Sequence, residues 1–223
     1  MKLNQMIDHT ILGANVSQKQ IDQIIHEAET HTFQSLCINP IWVRYVKERI
    51  KNEAVLVCTV VGFPHGTHLP SVKRYETEQA ILDGADEIDM VINVGALKDK
   101  RYEIIHEEIK AVVEAAQGRT VKVILETCYL TDDEIIKACE MAVEEKADFV
   151  KTSTGFGTAG ATEHHVRLMR ETVKDKAGVK ASGGIRTYED AMKMIEAGAN
   201  RIGTSRGIQI IEKGDSHDSN TSY

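Results

Sequence analysis

A chain of 223 residues, 42% hydrophobic and 27% charged, with three prolines and no biased tract, has the composition of one folded domain and not of a disordered segment. Its formal charge of −7 and the absence of any Lys/Arg block argue against nucleic-acid binding, which needs a basic surface. The opening MKLNQMIDHT lacks the apolar core of a signal peptide, and no apolar run reaches the roughly 18 residues of a membrane span. Four cysteines (Cys37, Cys58, Cys128, Cys139) show no CxxC pair, so reduced thiols in a soluble, cytoplasmic protein without membrane or nucleic-acid partners are expected.

Along the chain, eight β-like runs alternate with longer stretches of helical period: MIDHT, SLCIN, VLVCTVVGF, EIDMVIN, VKVILETC, FVKTST, GVKASGG and RIGTS. They begin near residues 6, 35, 55, 87, 121, 148, 178 and 201. A spacing of about 28 residues fits a strand, a crossover helix and two loops. Ser17-x-x-Gln20, Thr131-x-x-Glu134 and Thr187-x-x-Asp190 have the form of capping boxes that start helices. Gly84 and Gly198 suit the left-handed position that ends one. Eight βα units suggest a closed parallel (β/α)8 barrel, although a doubly wound sheet shows the same alternation. The barrel is favoured because Gly13-Ala14-Asn15 after the first strand is not G-x-G-x-x-G, and the strongest glycine signals follow the last three strands. The barrel is expected over residues 1–212, with 213–223 as a tail of disorder-like composition.

Side chains alternate across a strand, so each run divides into a helix-facing and a barrel-facing set. In EIDMVIN the apolar Ile88, Met90 and Ile92 share one face, which turns Asp89 inward. The same parity turns Lys151, Lys180, Ser182, Lys122 and Glu126 inward, and Asp8, Thr10, Cys37, Asn39 and Thr59 fit a similar set. Unpaired buried charge costs several kcal/mol, so such lysines must be paired or neutral. An ion-pair network, for example Lys180 with Asp89 or Lys122 with Glu126, is the structural reading. Two lysines on neighbouring strands, each just before a glycine loop at the carboxyl end of a barrel, favour chemistry.

A neighbouring ammonium and a dry pocket favour the neutral form of a lysine, which can attack a carbonyl to give a Schiff base. Its iminium stabilises a carbanion at the adjacent carbon, the core of aldolase chemistry, and Asp89 could move the protons directly or through water. Gly183-Gly184 after the seventh strand and Gly203-Thr204-Ser205 after the eighth offer backbone N–H groups of the kind that hold phosphate.

These residues are similar to those of the deoxyribose-phosphate aldolase family, in its shorter bacterial form. The resemblance rests on IDHTIL, SLCINP, VGFPHG, DEIDMVINVGALK, KVILET, FVKTSTGFGTAGAT, VKASGGIRT and RIGTSRG, and covers nearly the whole chain. It implies a class I aldolase, without metal or other cofactor, that reversibly cleaves 2-deoxy-D-ribose 5-phosphate to D-glyceraldehyde 3-phosphate and acetaldehyde in deoxynucleoside breakdown. It further implies Lys151 as the Schiff-base lysine, Lys180 as its tuning partner, Asp89 as the proton-transfer residue, and supporting places for Asp8, Thr10 and Cys37. Gly155 joins the phosphate loops, a homodimer is the family expectation, and Tyr223 matches a C-terminal tyrosine that assists proton transfer in some members. Where some relatives carry lysine after STG, this chain has Phe156, which shifts phosphate holding toward backbone N–H groups.

Three rival readings follow from the same residues. A zinc aldolase would draw on His65-x-x-His68 or His164-His165, a non-catalytic barrel would bind sugar phosphates through its lysines, and a Schiff-base aldolase could serve another sugar phosphate.

Overall fold

The computed structural model of the chain describes residues 2–218, so Tyr223 lies outside the described residues. Eight parallel strands close into one barrel in sequence order: β1 (Ile7–Ile11), β2 (Ser35–Ile38), β3 (Leu56–Val61), β4 (Glu87–Val91), β5 (Thr120–Ile124), β6 (Phe149–Lys151), β7 (Gly178–Ser182) and β8 (Arg201–Thr204), with β8 pairing back onto β1. Closure excludes the open doubly wound sheet and leaves no edge strand to protect.

Helices α1 (Gln18–His31), α2 (Val43–Lys47), α3 (Pro70–Leu82), α4 (Val94–Lys98), α5 (Tyr102–Ala115), α6 (Asp132–Glu144), α7 (Glu163–Val173), α8 (Tyr188–Glu196) and α9 (Gly207–Asp218) surround the barrel. All three expected capping boxes form, at the starts of α1, α6 and α8. At α6, for example, Glu134 accepts from Thr131 N at 2.8 Å, which satisfies an amide the helix itself cannot. Gly84 and Gly198 take φ of +100° and +115° after α3 and α8. Contrary to the composition of the tail, α9 continues past residue 212 to Asp218. Lys213 is part of that helix and pairs with Glu189 of α8 at 3.0 Å.

The apolar core lies between the strands and the helices, where Leu36, Ile38, Ile88, Met90, Val121, Val123, Val150, Val179 and Ala181 are buried. One parity assignment reverses. Cys58, not Thr59, shares a register level with the inward Cys37 and Glu87, while Thr59 aligns with the helix-facing Ile38 and Ile88. Thr59 instead donates its hydroxyl to Ile38 O at 2.8 Å. On helix α3, Leu69 at the N-cap and Val72, Tyr75 and Leu82 along it stay exposed at helical spacing.

Candidate active site

Strand pairing puts Asp89 beside Lys122, and Lys151 beside Lys180, on the inner wall of the barrel. Their side chains meet at one carboxylate. Asp89 Oδ2 accepts from Lys151 Nζ at 2.7 Å and from Lys180 Nζ at 2.8 Å, while Oδ1 accepts from Lys122 Nζ at 2.9 Å and from Cys58 Sγ at 3.2 Å. The lattice extends below them. Lys180 pairs with Asp8 at 2.5 Å and Lys122 with Glu87 at 2.6 Å, while Arg201 bridges Asp8 at 2.6 Å and Glu87 at 3.0 Å.

Lys122 therefore takes Glu87 and Asp89 as partners, not Glu126 as parity suggested. The alternation breaks because Glu126 sits beyond the end of β5 with a left-handed backbone, φ +56°. Its carboxylate turns to the sixth loop, accepting from Thr154 N at 3.1 Å and from the Thr154 hydroxyl.

Burial by itself would raise the Asp89 carboxyl, but the ammoniums of Lys122, Lys151 and Lys180 hold it well below the usual range. Asp8 responds in the same way: burial pushes up, and Lys180, Lys122 and Arg201 push down further. Burial disfavours charge on Lys180, yet Asp8 and Asp89 outweigh it and keep this lysine protonated far into alkali. Lys122 is held above its ordinary value by Asp89, Cys58 and Glu87 against the same burial cost. Three carboxylates, Asp8, Glu87 and Asp89, thus face four cations, Lys122, Lys151, Lys180 and Arg201. Lys122, Lys180 and Arg201 each touch two or more of these carboxylates, whereas Lys151 touches Asp89 alone.

Lys151 also stands at the floor of a cavity of about 250 Å³. Thr10, Gly155, Gly183, Gly184, Gly203, Thr204 and Ser205 line the same cavity, so the expected phosphate loops and the lysine face one space. Gly183 and Gly184 take φ of +83° and +79°, and a Cβ on Gly160 would lie 2.1 Å from Gly183 O, so the sixth and seventh loops pass backbone to backbone. Ser182 Oγ donates to Ser153 O at 2.6 Å and ties the two together. Phe156 is 56% exposed and packs edge-on against Phe63 with ring centroids 5.4 Å apart. A cation is nevertheless present at the cavity wall, in Arg186 of the seventh loop.

Thr10 donates its hydroxyl to Asp8 O at 2.8 Å, and Asn39 reaches Gly13 O from outside the lattice. Cys37 is fully buried, faces Cys58 in register, and lies with Cys58 and Asp89 close enough that their ligand atoms fall within 4.8 Å of one another. Among the described residues no other His, Cys, Asp and Glu group of three or more is so arranged, and neither histidine pair belongs to it. Spacing had kept these two cysteines apart, and the barrel brings them together. The three ammoniums already on Asp89 make that spot unfavourable for a further cation. His164 instead pairs with Asp132 at 2.8 Å on the surface.

Reading by residue type passed over Arg201, Glu87, Cys58 and Arg186. Glu87 had the right parity in EIDMVIN, and Arg201 opens RIGTS two residues before Gly203, the same inward step that separates Lys180 from Ser182.

The sequence matches the description "DeoC/LacD family aldolase" over residues 2–213. It is 57% identical over 211 residues to a deoxyribose-phosphate aldolase of Streptococcus uberis, covering 95% of this chain and 96% of that one. Among solved structures it is similar to QR15, an aldolase, at a TM-score of 0.94 and 40% identity with both chains fully covered. It is also similar to the deoxyribose phosphate aldolase of Aeropyrum pernix, described as a unique tetramer, at 0.89 and 31%, covering 96% of this chain and 92% of that one. Lattice, cavity and likeness agree: the chain belongs to the DeoC/LacD family of aldolases.

Proposed function

We propose that the protein cleaves 2-deoxy-D-ribose 5-phosphate reversibly to D-glyceraldehyde 3-phosphate and acetaldehyde through a Schiff base on Lys151, in deoxynucleoside breakdown in the cytoplasm. The observation that carries this reading is the imbalance around Asp89. Of the four cations on three carboxylates, Lys151 is the one with a single carboxylate partner and the one that faces the cavity. It has the fewest carboxylate contacts of the four and open space beside it for a carbonyl carbon.

The neutral Nζ attacks C1 of the open-chain sugar to form a carbinolamine, which loses water to give the iminium. Removal of the proton on the C3 hydroxyl then breaks the C2–C3 bond. The C3 fragment departs as the phosphorylated aldehyde, and the bond's electron pair moves into the C1–C2 enamine. Protonation at C2 and hydrolysis release acetaldehyde and return the free lysine. Asp89 is too acidic to be a ready proton donor alone, but its Oδ2 joins Lys151 to Lys180. Lys180, itself an ammonium held by Asp8, cannot take the proton that leaves Lys151; that proton passes by way of Asp89 to water or to the substrate oxygen, while Lys180 keeps the carboxylate in place. The phosphate lies against Gly155, Gly183, Gly184, Gly203, Thr204 and Ser205, with Arg186 supplying the charge that Phe156 does not.

A second copy of the chain fits the exposed apolar stripe of Leu69, Val72, Tyr75 and Leu82 on α3, in line with the homodimer reading. No described helix is long and apolar enough to cross a membrane. The reaction is tested by incubating the protein with 2-deoxy-D-ribose 5-phosphate and a strong chelator and assaying both products. Equimolar acetaldehyde and D-glyceraldehyde 3-phosphate are expected, whereas cleavage that returns only on adding a divalent metal would replace the Schiff base with a metal enolate.

A further inference from the structure

We infer that Glu126 is a positioning residue that sets the sixth loop for the substrate's phosphate and so governs the preference for phosphorylated over unphosphorylated sugars. The inference rests on the proposed sugar-phosphate reading and deepens it. Glu126 is buried, holds a left-handed backbone that is uncommon for a residue with a side chain, and has no cation within ion-pair distance among the described residues. A buried carboxylate in that state costs several kcal/mol unless its oxygens are well hydrogen-bonded. Among the described residues, every bond this carboxylate accepts comes from Thr154.

Those bonds decide which amides of the loop remain available. Thr154 N–H donates to Glu126 Oε1 at 3.1 Å, and the Thr154 hydroxyl donates to Oε2. The same hydroxyl oxygen accepts from Phe156 N–H at 3.0 Å. The two amides flanking Gly155 are thereby committed to the carboxylate side of the loop. Gly155 itself adopts φ +88°, and its N–H has no partner among the described residues. It lines the main cavity with Gly183 and Gly184, while the carboxylate sits behind the loop. Gly157 closes the arrangement. A Cβ there would lie 3.2 Å from Glu126 Oε1 and 2.8 Å from Cys128 Sγ, so the chain lies directly on the carboxylate. Between Thr154 and Phe156, backbone phosphate holding therefore falls to the Gly155 amide.

The test compares 2-deoxyribose 5-phosphate with unphosphorylated 2-deoxyribose as substrates, and measures inorganic phosphate binding by calorimetry, for Glu126→Ala, Glu126→Gln, Thr154→Val and Thr154→Ser. Glu126→Ala and Thr154→Val should raise KM for the phosphorylated sugar and Kd for inorganic phosphate by about tenfold or more, the scale of one charge-assisted hydrogen bond. The loss of kcat/KM on the unphosphorylated sugar should be far smaller. Glu126→Gln keeps an acceptor for Thr154 N–H, and Thr154→Ser keeps the hydroxyl, so each should recover much of the phosphate affinity. Equal losses on both sugars, or an unchanged Kd for phosphate in Glu126→Ala and Thr154→Val, would overturn the assignment. Absence of cleavage by the wild-type chain would overturn the aldolase reading separately, because the phosphate titration reads the loop without turnover. Should Glu126→Ala fail to fold, Thr154→Val alone decides by the same two criteria.

Discussion

Among the described residues, a Lys73–Glu108 cluster and the Asp89 cluster are both buried, and they differ in stoichiometry. Beneath the third and fourth loops, Lys73 Nζ donates to Glu108 at 2.5 Å and to the carbonyls of Gly66 and Val91, each at 2.8 Å, with one cation for one carboxylate and both side chains fully buried. Inside the barrel, four cations share three carboxylates, and the cation with a single carboxylate partner faces a cavity. The first arrangement can only hold loops in place. The second carries one more cation than carboxylates, which is the charge balance that the proposed Schiff-base role of Lys151 draws on.

The largest effect expected from this contrast is on Lys151. Lys151→Ala removes the proposed nucleophile and evens the charge count, so deoxyribose-phosphate cleavage should fall by about 10⁴-fold or more with little loss of stability, read by a product assay beside a thermal melt. Asp89→Asn works in the opposite direction. It leaves three ammoniums without their common carboxylate, so kcat should drop by about 10²- to 10⁴-fold and stability by about 3–5 kcal/mol in a urea titration.

Lys73→Met should separate the clusters from the other side. An uncompensated Glu108 costs about 3–5 kcal/mol, while kcat at a temperature where the variant is folded should change by less than about tenfold. A loss of kcat as large as that of Asp89→Asn would erase the distinction between the clusters. The smallest effect is a pH dependence. Burial pushes the Glu108 carboxyl up to about 6 despite Lys73, from 4.5 in the unfolded chain. The folded protein then takes up this proton before the unfolded one does, so Glu108 favours folding below about pH 4.5 and loses that contribution as pH rises through about 6. Glu108→Gln should flatten the stability profile in that window, by up to about 2 kcal/mol in denaturant titrations at several pH values.

How much of this was legible in the sequence depended on whether a polar residue marked the inner face. EIDMVIN and GVKAS each place a charge among apolar neighbours, so period-two alternation pointed Asp89 and Lys180 inward, as the strand register has them. VLVCTVVGF carries only small or apolar residues, and choosing between Cys58 and Thr59 needed the neighbouring strands. Glu126 falls outside that alternation for another reason, because period two holds only while the backbone stays extended and this residue is left-handed. The lattice of Glu87 and Arg201 was beyond reach, since its partners lie 114 residues apart in the chain and meet only when β8 closes onto β1. The exposed stripe on α3 was hidden for a related reason: its apolar residues look like core until the packing of α3 on α5 shows which face is used.

The claim that Lys151 is the cation released from the Asp89 cluster is tested most directly by borohydride reduction in the presence of acetaldehyde, followed by peptide mass spectrometry. One added ethyl group is expected on the peptide containing Lys151, and its complete loss in Lys151→Ala, where Lys122 and Lys180 still contact Asp89. An ethyl group on Lys180 or Lys122 in the wild-type protein, or no adduct under conditions of active turnover, would contradict it.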